Sequence, residues 1–455
     1  MDAQDTISRL PDDLLGHILS SLSTKQAAST SVLSKRWRNV FASVYNLDLY
    51  DRESIREARQ DWRENSKRFT AFVSNLLILQ GGSSIKKFTL KSHVGVRDGL
   101  DPAHVQSWIC NVLERGVVDL DIFITFLGKI QPVFTLNLMS ETLVKLRLGR
   151  WFIIKLCQDV SLPMLRKLSL YSVDFDGDSN FVGKLLSRCY VLEEFDFEES
   201  VKHGPVQIQW SSPSLKRLRI RFNYAREFSF DFPNLSFFEI LYDLGSKFVD
   251  VKLDSLVEAR LNHRLHYGEI WVTTYRNAGL FHVDSIHLIN AISNVRVLHL
   301  SSVVHELLYF SSQELPMFDS LVCLSIESER KRGWGILPLL IKNNPNLETL
   351  IFKGLKHRLT SRTCGDVCGC INSVFNRSSC LSTSRVKVLE ISGYREDSIE
   401  DLNTMRHFLA KLPCLELVKI CAANIKVPID IHHLLTLPRA SPNCKIQVIH
   451  QKTSE

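Results

Sequence analysis

The sequence predicts an α/β chain: a short three-helix head, then an irregular repeat solenoid in which parallel strands stack and helical returns cover one side. Three observations carry this reading. A seven-residue pattern, x-L-x-x-L-x-L, recurs along most of the chain; leucine supplies 64 of the 455 residues; and proline stands just ahead of several copies, at Pro163, Pro213, Pro233, Pro345 and Pro413.

The head occupies residues 7–44. Pro11 suits a first helical turn, Asp12 and Asp13 complement the positive dipole end there, and Leu14, Leu15, Ile18, Leu19 and Leu22 follow at helical spacing. Thr24 is expected to cap a second short helix carrying Ala27, Ala28, Val32 and Leu33. Ser34 is expected to cap a third, in which Trp37, Val40, Phe41 and Val44 fall at i, i+3, i+4 and i+7. A unit below about 40 residues can hardly build a private core, so these helices should pack on the remainder of the chain.

The repeat comes next. Thirteen copies run from SIKKFTL at Ser84, through TLVKLRL at Thr142, MLRKLSL at Met164, SLKRLRI at Ser214 and NLETLIF at Asn346, to CLELVKI at Cys414. Their first apolar positions mostly lie 20 to 32 residues apart, and two gaps of 39, Leu256 to Val295 and Leu347 to Val386, mark insertions. Periods of this size are those of leucine-rich repeats. The L-x-L places two apolar side chains on one face of a short strand, and the Leu three residues earlier packs beneath the turn that leads into it. One repeat cannot bury its apolar side alone, so the core becomes a continuous strip shared by neighbours. Between strands, residues 104–117, 181–192 and 334–347 read as helical returns. Gly81 and Gly82 break a helix before the first copy, and the prolines end the returns because the residue before a proline avoids the helical region.

Composition excludes several classes. With 45% hydrophobic and 23% charged residues the chain is not disordered. No run of 18 apolar residues marks a membrane span and the N-terminus lacks a signal peptide, so an intracellular location, cytoplasm or nucleus, is expected. Eleven cysteines, an odd number, read as reduced thiols. The net charge of +7 is spread along the chain and makes no nucleic-acid footprint. Cys364, Cys368, Cys370 and Cys380, with His357 nearby, satisfy only part of a zinc pattern and are read as filler in an insertion, so no metal site is assigned. His432 and His433, near Asp430, point apart as adjacent residues do, and the basic run at 329–333 reads as solvated surface. No G-x-S-x-G, H-E-x-x-H, P-loop or G-x-G-x-x-G is present, so neither a catalytic residue nor a cofactor is expected.

The stretch LPDDLLGHILSSLSTKQAASTSVLSKRWRNV closely resembles the F-box of plant F-box proteins, in spacing and in its LP and TKxAxxTSxLSKRWR elements. The resemblance implies a three-helix unit docking on a Skp-family adaptor, with Leu10, Pro11, Leu14, Leu15, Ile18, Leu19, Val32, Leu33, Ser34, Trp37 and Arg38 at the matching interface positions. Some of these leucines must still pack internally. SRCYVLEEFDF and NNPNLETLIF resemble the irregular leucine-rich repeats of the same family, and the segment from about Ser384 resembles its closing FBD domain. The implied organisation is an F-box over 4–50, a helical linker over 51–82, leucine-rich repeats over 83–383 and FBD capping repeats over 384–450. The implied function is a non-catalytic substrate-recognition subunit of an SCF-type ubiquitin ligase, its partners the adaptor, a cullin through it, and an unknown protein substrate, with no membrane or nucleic acid. The alternative is a leucine-rich-repeat scaffold not coupled to ubiquitination.

Overall fold

A computed structural model describes residues 7–50, 62–94, 101–126, 133–136, 138–156, 160–175, 180–200, 207–243, 245–263, 286–311, 315–330, 332–357, 367, 379–422 and 432–450. The chain divides into two compact units, Met1–Pro205 with Trp210–Arg217, and Val206–Gln209 with Leu218–Glu455.

The first unit opens with α1 (Asp12–Ser20), α2 (Thr24–Thr30) and α3 (Lys35–Ala42). Six strands then stack in parallel in the order β1 (Asn46–Tyr50), β2 (Lys87–Val94), β3 (Asp119–Phe126), β5 (Lys145–Leu156), β6 (Lys167–Phe175) and β7 (Glu194–Glu198), while β4 (Val133–Leu136) pairs with the far end of β5. The register lines the leucine positions into two columns. Leu47, Phe88, Leu120, Leu146, Leu168 and Phe195 form one; Leu49, Leu90, Ile122, Leu148 and Leu170 form the other, and all are buried. Helices α4 (Trp62–Leu79), α5 (Pro102–Glu114) and Phe181–Arg188 supply the returns and contribute Val73, Leu76, Val105, Trp108, Ile109, Val112, Leu185 and Leu186 to the core.

Strand β1 is an addition to the thirteen copies. It pairs with β2 through Leu47 and Leu49, so the stack begins one strand earlier than the repeat pattern indicates, directly behind α3.

In the second unit β9 (Arg217–Arg221), β11 (Phe237–Tyr242), β13 (Glu258–His263), β14 (Val297–Leu300), β15 (Cys323–Glu327), β16 (Thr349–Lys353), β17 (Val388–Ser392), β18 (Leu417–Ala422) and β19 (Lys445–His450) follow one another in the same way. Leu298, Leu324, Leu350, Leu389 and Val418 make one buried column, and Leu300, Ile326, Phe352, Ile391 and Ile420 the next. The returns here are not all helical. Where the repeats at Leu192, Leu215, Leu235 and Leu256 lie only 20 to 23 residues apart, β8 (Gln207–Ser211), β10 (Glu227–Asp231) and β12 (Lys247–Lys252) make a separate three-stranded sheet. So few residues leave too little chain for a helix, and an extended return covers the distance at about 3.3 Å per residue instead of 1.5 Å. Phenylalanine fills the space a helix would occupy: Phe228 stacks on Phe248 at 5.0 Å and lies 5.3 Å from Phe230.

Towards the end of the chain, helix Ile399–Lys411 is capped by Ser398, and its buried Asp401 accepts hydrogen bonds from Ser398 Oγ at 2.8 Å and the Arg395 amide at 3.0 Å. Phe408 from this helix stacks on Phe352 at 5.0 Å and on Trp334 at 6.1 Å.

The columns make a direct prediction. Leu168→Ala, in the middle of a column, should lower the unfolding free energy of the full chain by about 2–5 kcal/mol. Lys145→Ala, an exposed side chain on the opposite face of the same sheet, should change it by less than ~0.5 kcal/mol. Urea denaturation followed by circular dichroism checks both.

Candidate functional site

The head is built by short-range caps and then fixed to the first strand. Ser23, not Thr24, caps α2: it accepts from the Gln26 amide while the Gln26 side chain accepts from the Ser23 amide at 3.2 Å, a reciprocal capping box. Thr24 is thereby free for another task, and its buried hydroxyl accepts from the Asp48 amide of β1 at 2.6 Å. Ser34 caps α3 as expected, accepting from the Trp37 amide at 3.3 Å. Pro11 stands at the cap of α1, one residue outside the helix.

Further ties hold the head to the strand behind it. Asn46 Nδ2 donates to the Ser20 carbonyl at 3.1 Å, the Tyr45 amide donates to Ser20 Oγ at 3.3 Å, and Gln80 Nε2 donates to the Val44 carbonyl at 2.7 Å. Across the head, Arg36 pairs with Asp12 at 2.7 Å and donates to the Leu10 carbonyl, which locks the start of α3 to the start of α1.

The apolar residues of the head are thereby divided. Leu15 and Leu19 are 1% and 2% exposed and lie in the interior with Val40, Phe41 and Val44. Leu14 and Ile18 lie one helical turn apart on the other side of α1 and are exposed, as is Leu22, two residues past the end of the helix. Val32 and Leu33, in the turn between α2 and α3, are 82% and 66% exposed. Of the remaining positions, Pro11, Ser34 and Arg38 are exposed, and Leu10 and Trp37 are half-buried. Nine of the eleven anticipated positions therefore reach the surface, and Leu15 and Leu19 do not: they are the inward face of α1. Exposed Ile7 and Leu22 enlarge the apolar surface beyond those eleven. Leu22, past the end of α1, was signalled by its place eight residues after Leu14 in the helical spacing of the sequence.

The other constellations fall only partly within the described residues. Cys364, Cys368 and Cys370 lie outside the described residues; Cys380 begins a short 3₁₀ turn, and His357 is buried with its ring stacked 3.9 Å from Trp334. Among the described residues no group of three His, Cys, Asp or Glu could hold a metal ion. Burial pushes the Cys189 and Cys323 thiols up to about 11, which keeps them protonated at neutral pH. His433 shares a hydrogen bond with Tyr394 Oη at 2.7 Å, and Asp430 lies outside the described residues. The basic run at 329–333 is not all solvated: Arg332 is buried and pairs with Glu306 and with Glu329 at 3.0 Å. No described helix is long and apolar enough to cross a membrane.

A three-helix head with a surface line of aliphatic side chains, mounted on a stack of leucine-rich repeats, defines a protein of the F-box and leucine-rich-repeat class. Comparison with known proteins agrees: residues 7–49 match the F-box domain, and residues 105–252 match the family described as FBD-associated F-box protein At5g56370, LRR repeats. The F-box/LRR-repeat protein At2g42730 of Arabidopsis thaliana is 55% identical, covering 98% of both chains, and At2g42720 of the same plant is 54% identical over 98% of this chain and all of its own length. A putative F-box/FBD/LRR-repeat protein, At3g59240, also from Arabidopsis thaliana, is 38% identical over 98% of this chain and 90% of its own. The chain belongs to the F-box/LRR-repeat family.

One buried histidine gives this fold a testable pH dependence. His305 is fully enclosed, and burial pushes it down to about 4 from its ordinary 6.5. The unfolded chain then takes up a proton that the folded chain refuses, so this stability is complete above about pH 6.5 and is lost as the pH falls toward 4. The loss should amount to something on the order of 3 kcal/mol, and His305→Gln should flatten the slope in urea titrations across that window.

Proposed function

We propose that this chain is the substrate-recognition subunit of an SCF-type E3 ubiquitin ligase. F-box domains generally bind Skp-family adaptors. The observation that carries the reading is the aliphatic surface of the head, Leu14, Ile18, Val32 and Leu33, left in solvent beside the exposed Pro11, Ser34 and Arg38 while the equally apolar Leu15 and Leu19 are buried. Aliphatic side chains kept at the surface beside a filled interior mark an interface. An adaptor covering this surface removes it from water, and a cullin is reached through the adaptor.

The role is one of positioning. The ligase's other subunits perform the ubiquitin transfer, and this chain raises the effective concentration of a bound target near the charged enzyme. Positioning requires a stiff joint between the adaptor site and the repeats, and the hydrogen bonds that Ser20 and Thr24 accept from residues 45–48, with the one that Gln80 donates to Val44, supply one. The segment 384–450, with β17, helix Ile399–Lys411, β18 and β19, serves as the FBD-type cap that shields the end of the repeat core.

Ile18→Glu with Leu33→Glu should abolish co-purification with a Skp-family adaptor while leaving the melting curve of the chain unchanged. Leu15→Ala should instead lower stability, by about 2–5 kcal/mol, without touching the interface directly. Retention of the adaptor by the double Glu variant would move the interface off this surface, and failure of the parent chain to hold an adaptor at all would leave a repeat scaffold uncoupled from ubiquitination as the function.

A further inference from the structure

The alternate positions of each repeat strand, those between the leucines, form the open face of the sheet, opposite the helices. In the first unit this face is electrically uneven. Among the described residues, the strands from β2 to β6 place Lys87, Lys91, Lys145, Arg147, Arg150, Lys155 and Lys167 on this side against Asp119, Asp121 and Asp174. Lys91 and Arg147 are engaged by Asp121 at 3.5 and 3.7 Å, and Lys167 by Glu194 of β7 at 2.7 Å. The exposed Lys87, Lys145 and Arg150 form no ion pair among the described residues.

Two of these cations are held in place by aromatic rings. The Arg147 guanidinium lies 5.4 Å from the centre of Phe123 and 5.2 Å from that of Tyr171, and the Arg150 guanidinium lies 5.3 Å from the centre of the same Phe123. Phe123, Gly149 and Tyr171 are register neighbours on successive strands. A Cβ on Gly149 would stand 3.0 Å from both Phe123 Cε2 and Tyr171 Cβ, so glycine is what lets the phenylalanine ring lie over the β5 backbone and carry both guanidinium groups. Two planar, permanently charged donors brought to one ring and left partly exposed are ready for a bidentate acceptor.

We propose that the open face of the first unit, from β2 to β6, binds an extended acidic segment of the target protein, with one carboxylate held by Arg147 and Arg150. Charge complementarity argues for this occupant. Among the described residues the cations of this face outnumber its acids, and the field is bounded by Asp48 on β1 and by Glu194, Asp196 and Glu198 on β7, which would repel a longer acidic run. Three strand steps span about 14 Å, the length of roughly four extended residues. The inference rests on the reading of the chain as a substrate receptor and names the chemistry of its substrate.

The test uses the full chain co-expressed with its adaptor and a fluorescein-labelled ten-residue peptide of alternating Glu and Ala, measured by fluorescence anisotropy. The Glu peptide should bind, more weakly as salt is raised, and its Gln counterpart should not. Arg150→Gln and, separately, Lys145→Gln should weaken binding, the former roughly tenfold or more, while the exposed Lys342→Gln of the second unit changes nothing. Equal binding of the Gln peptide, or full affinity in both Arg150→Gln and Lys145→Gln, overturns the proposal. So does binding of a neutral peptide bearing one phosphoserine without binding of the Glu peptide, which would make the face a phosphate site. The adaptor stays with the chain in all these variants if the receptor reading holds; its loss from the parent protein would sink that reading instead.

Discussion

The parallel register of the repeat strands is the constraint on which the rest of this molecule depends. Each strand offers two apolar side chains to one face, too few to bury anything alone. The columns running from Leu47 to Phe195 and from Leu298 to Val418 exist because every strand pairs with its neighbour at the same phase. A slip of one residue at any pairing would turn leucines to solvent and charges to the core. Register therefore does two things at once: it creates the core, and it aligns the alternate positions into rows on the open face. Lys87, Asp119, Lys145, Lys167 and Glu194 form one such row, set by the same hydrogen bonds that stack the leucines.

The head depends on that stack in turn. Leu15, Leu19, Val40 and Phe41 are too few to support an independent domain, and Thr24, Ser20 and Gln80 hydrogen-bond into residues 44–48, where the first strand begins. Only after this docking is made is the other half of the head's apolar surface defined as surface. The head and the strand stack are thus joined by hydrogen bonds and shared core rather than by a flexible tether.

The architecture was legible in the sequence because a repeat multiplies a weak signal: one L-x-x-L-x-L is ambiguous, thirteen are not. The features that could not be read there are local. The first strand, Asn46–Tyr50, follows Val44 at the repeat spacing with Leu47 and Leu49, but Val44 also falls on the helical line of Trp37, Val40 and Phe41, which hid the copy in the end of the head. Ser23 and Thr24 are both good caps, and the choice between them was made by the Asp48 amide, a partner remote in sequence. The strand-type returns at β8, β10 and β12 were implied by the 20-to-23-residue spacing, but alternating phenylalanines such as those at 228 and 230 declared them more clearly. At the candidate site the limit was more fundamental. In α1 both the line Leu14–Ile18 and the line Leu15–Leu19 are apolar at i, i+4, so periodicity cannot say which faces inward. The packing of α2, α3 and the residues leading into β1 decides it.

The open face shows the opposite relation between sequence and structure. The repeat pattern dictates nothing about the positions between leucines beyond tolerance of water, so whatever order is found there has a cause other than the fold. In the second unit that order is mutual compensation: Arg260 pairs with Glu258 at 2.7 Å, His299 lies 3.3 Å from the same carboxylate, and Arg219 lies 3.7 Å from Glu239. In the first unit Asp119 stands beside Lys145 in the register, yet the chain had the same freedom to pair Arg150 with an acid, at no cost to the leucine columns. Like charges gathered on neighbouring strands repel one another and lower stability slightly. An arrangement that the fold does not need, that electrostatics disfavours in the isolated chain, and that a glycine and two aromatic rings hold in position is best accounted for by an anion that arrives from outside.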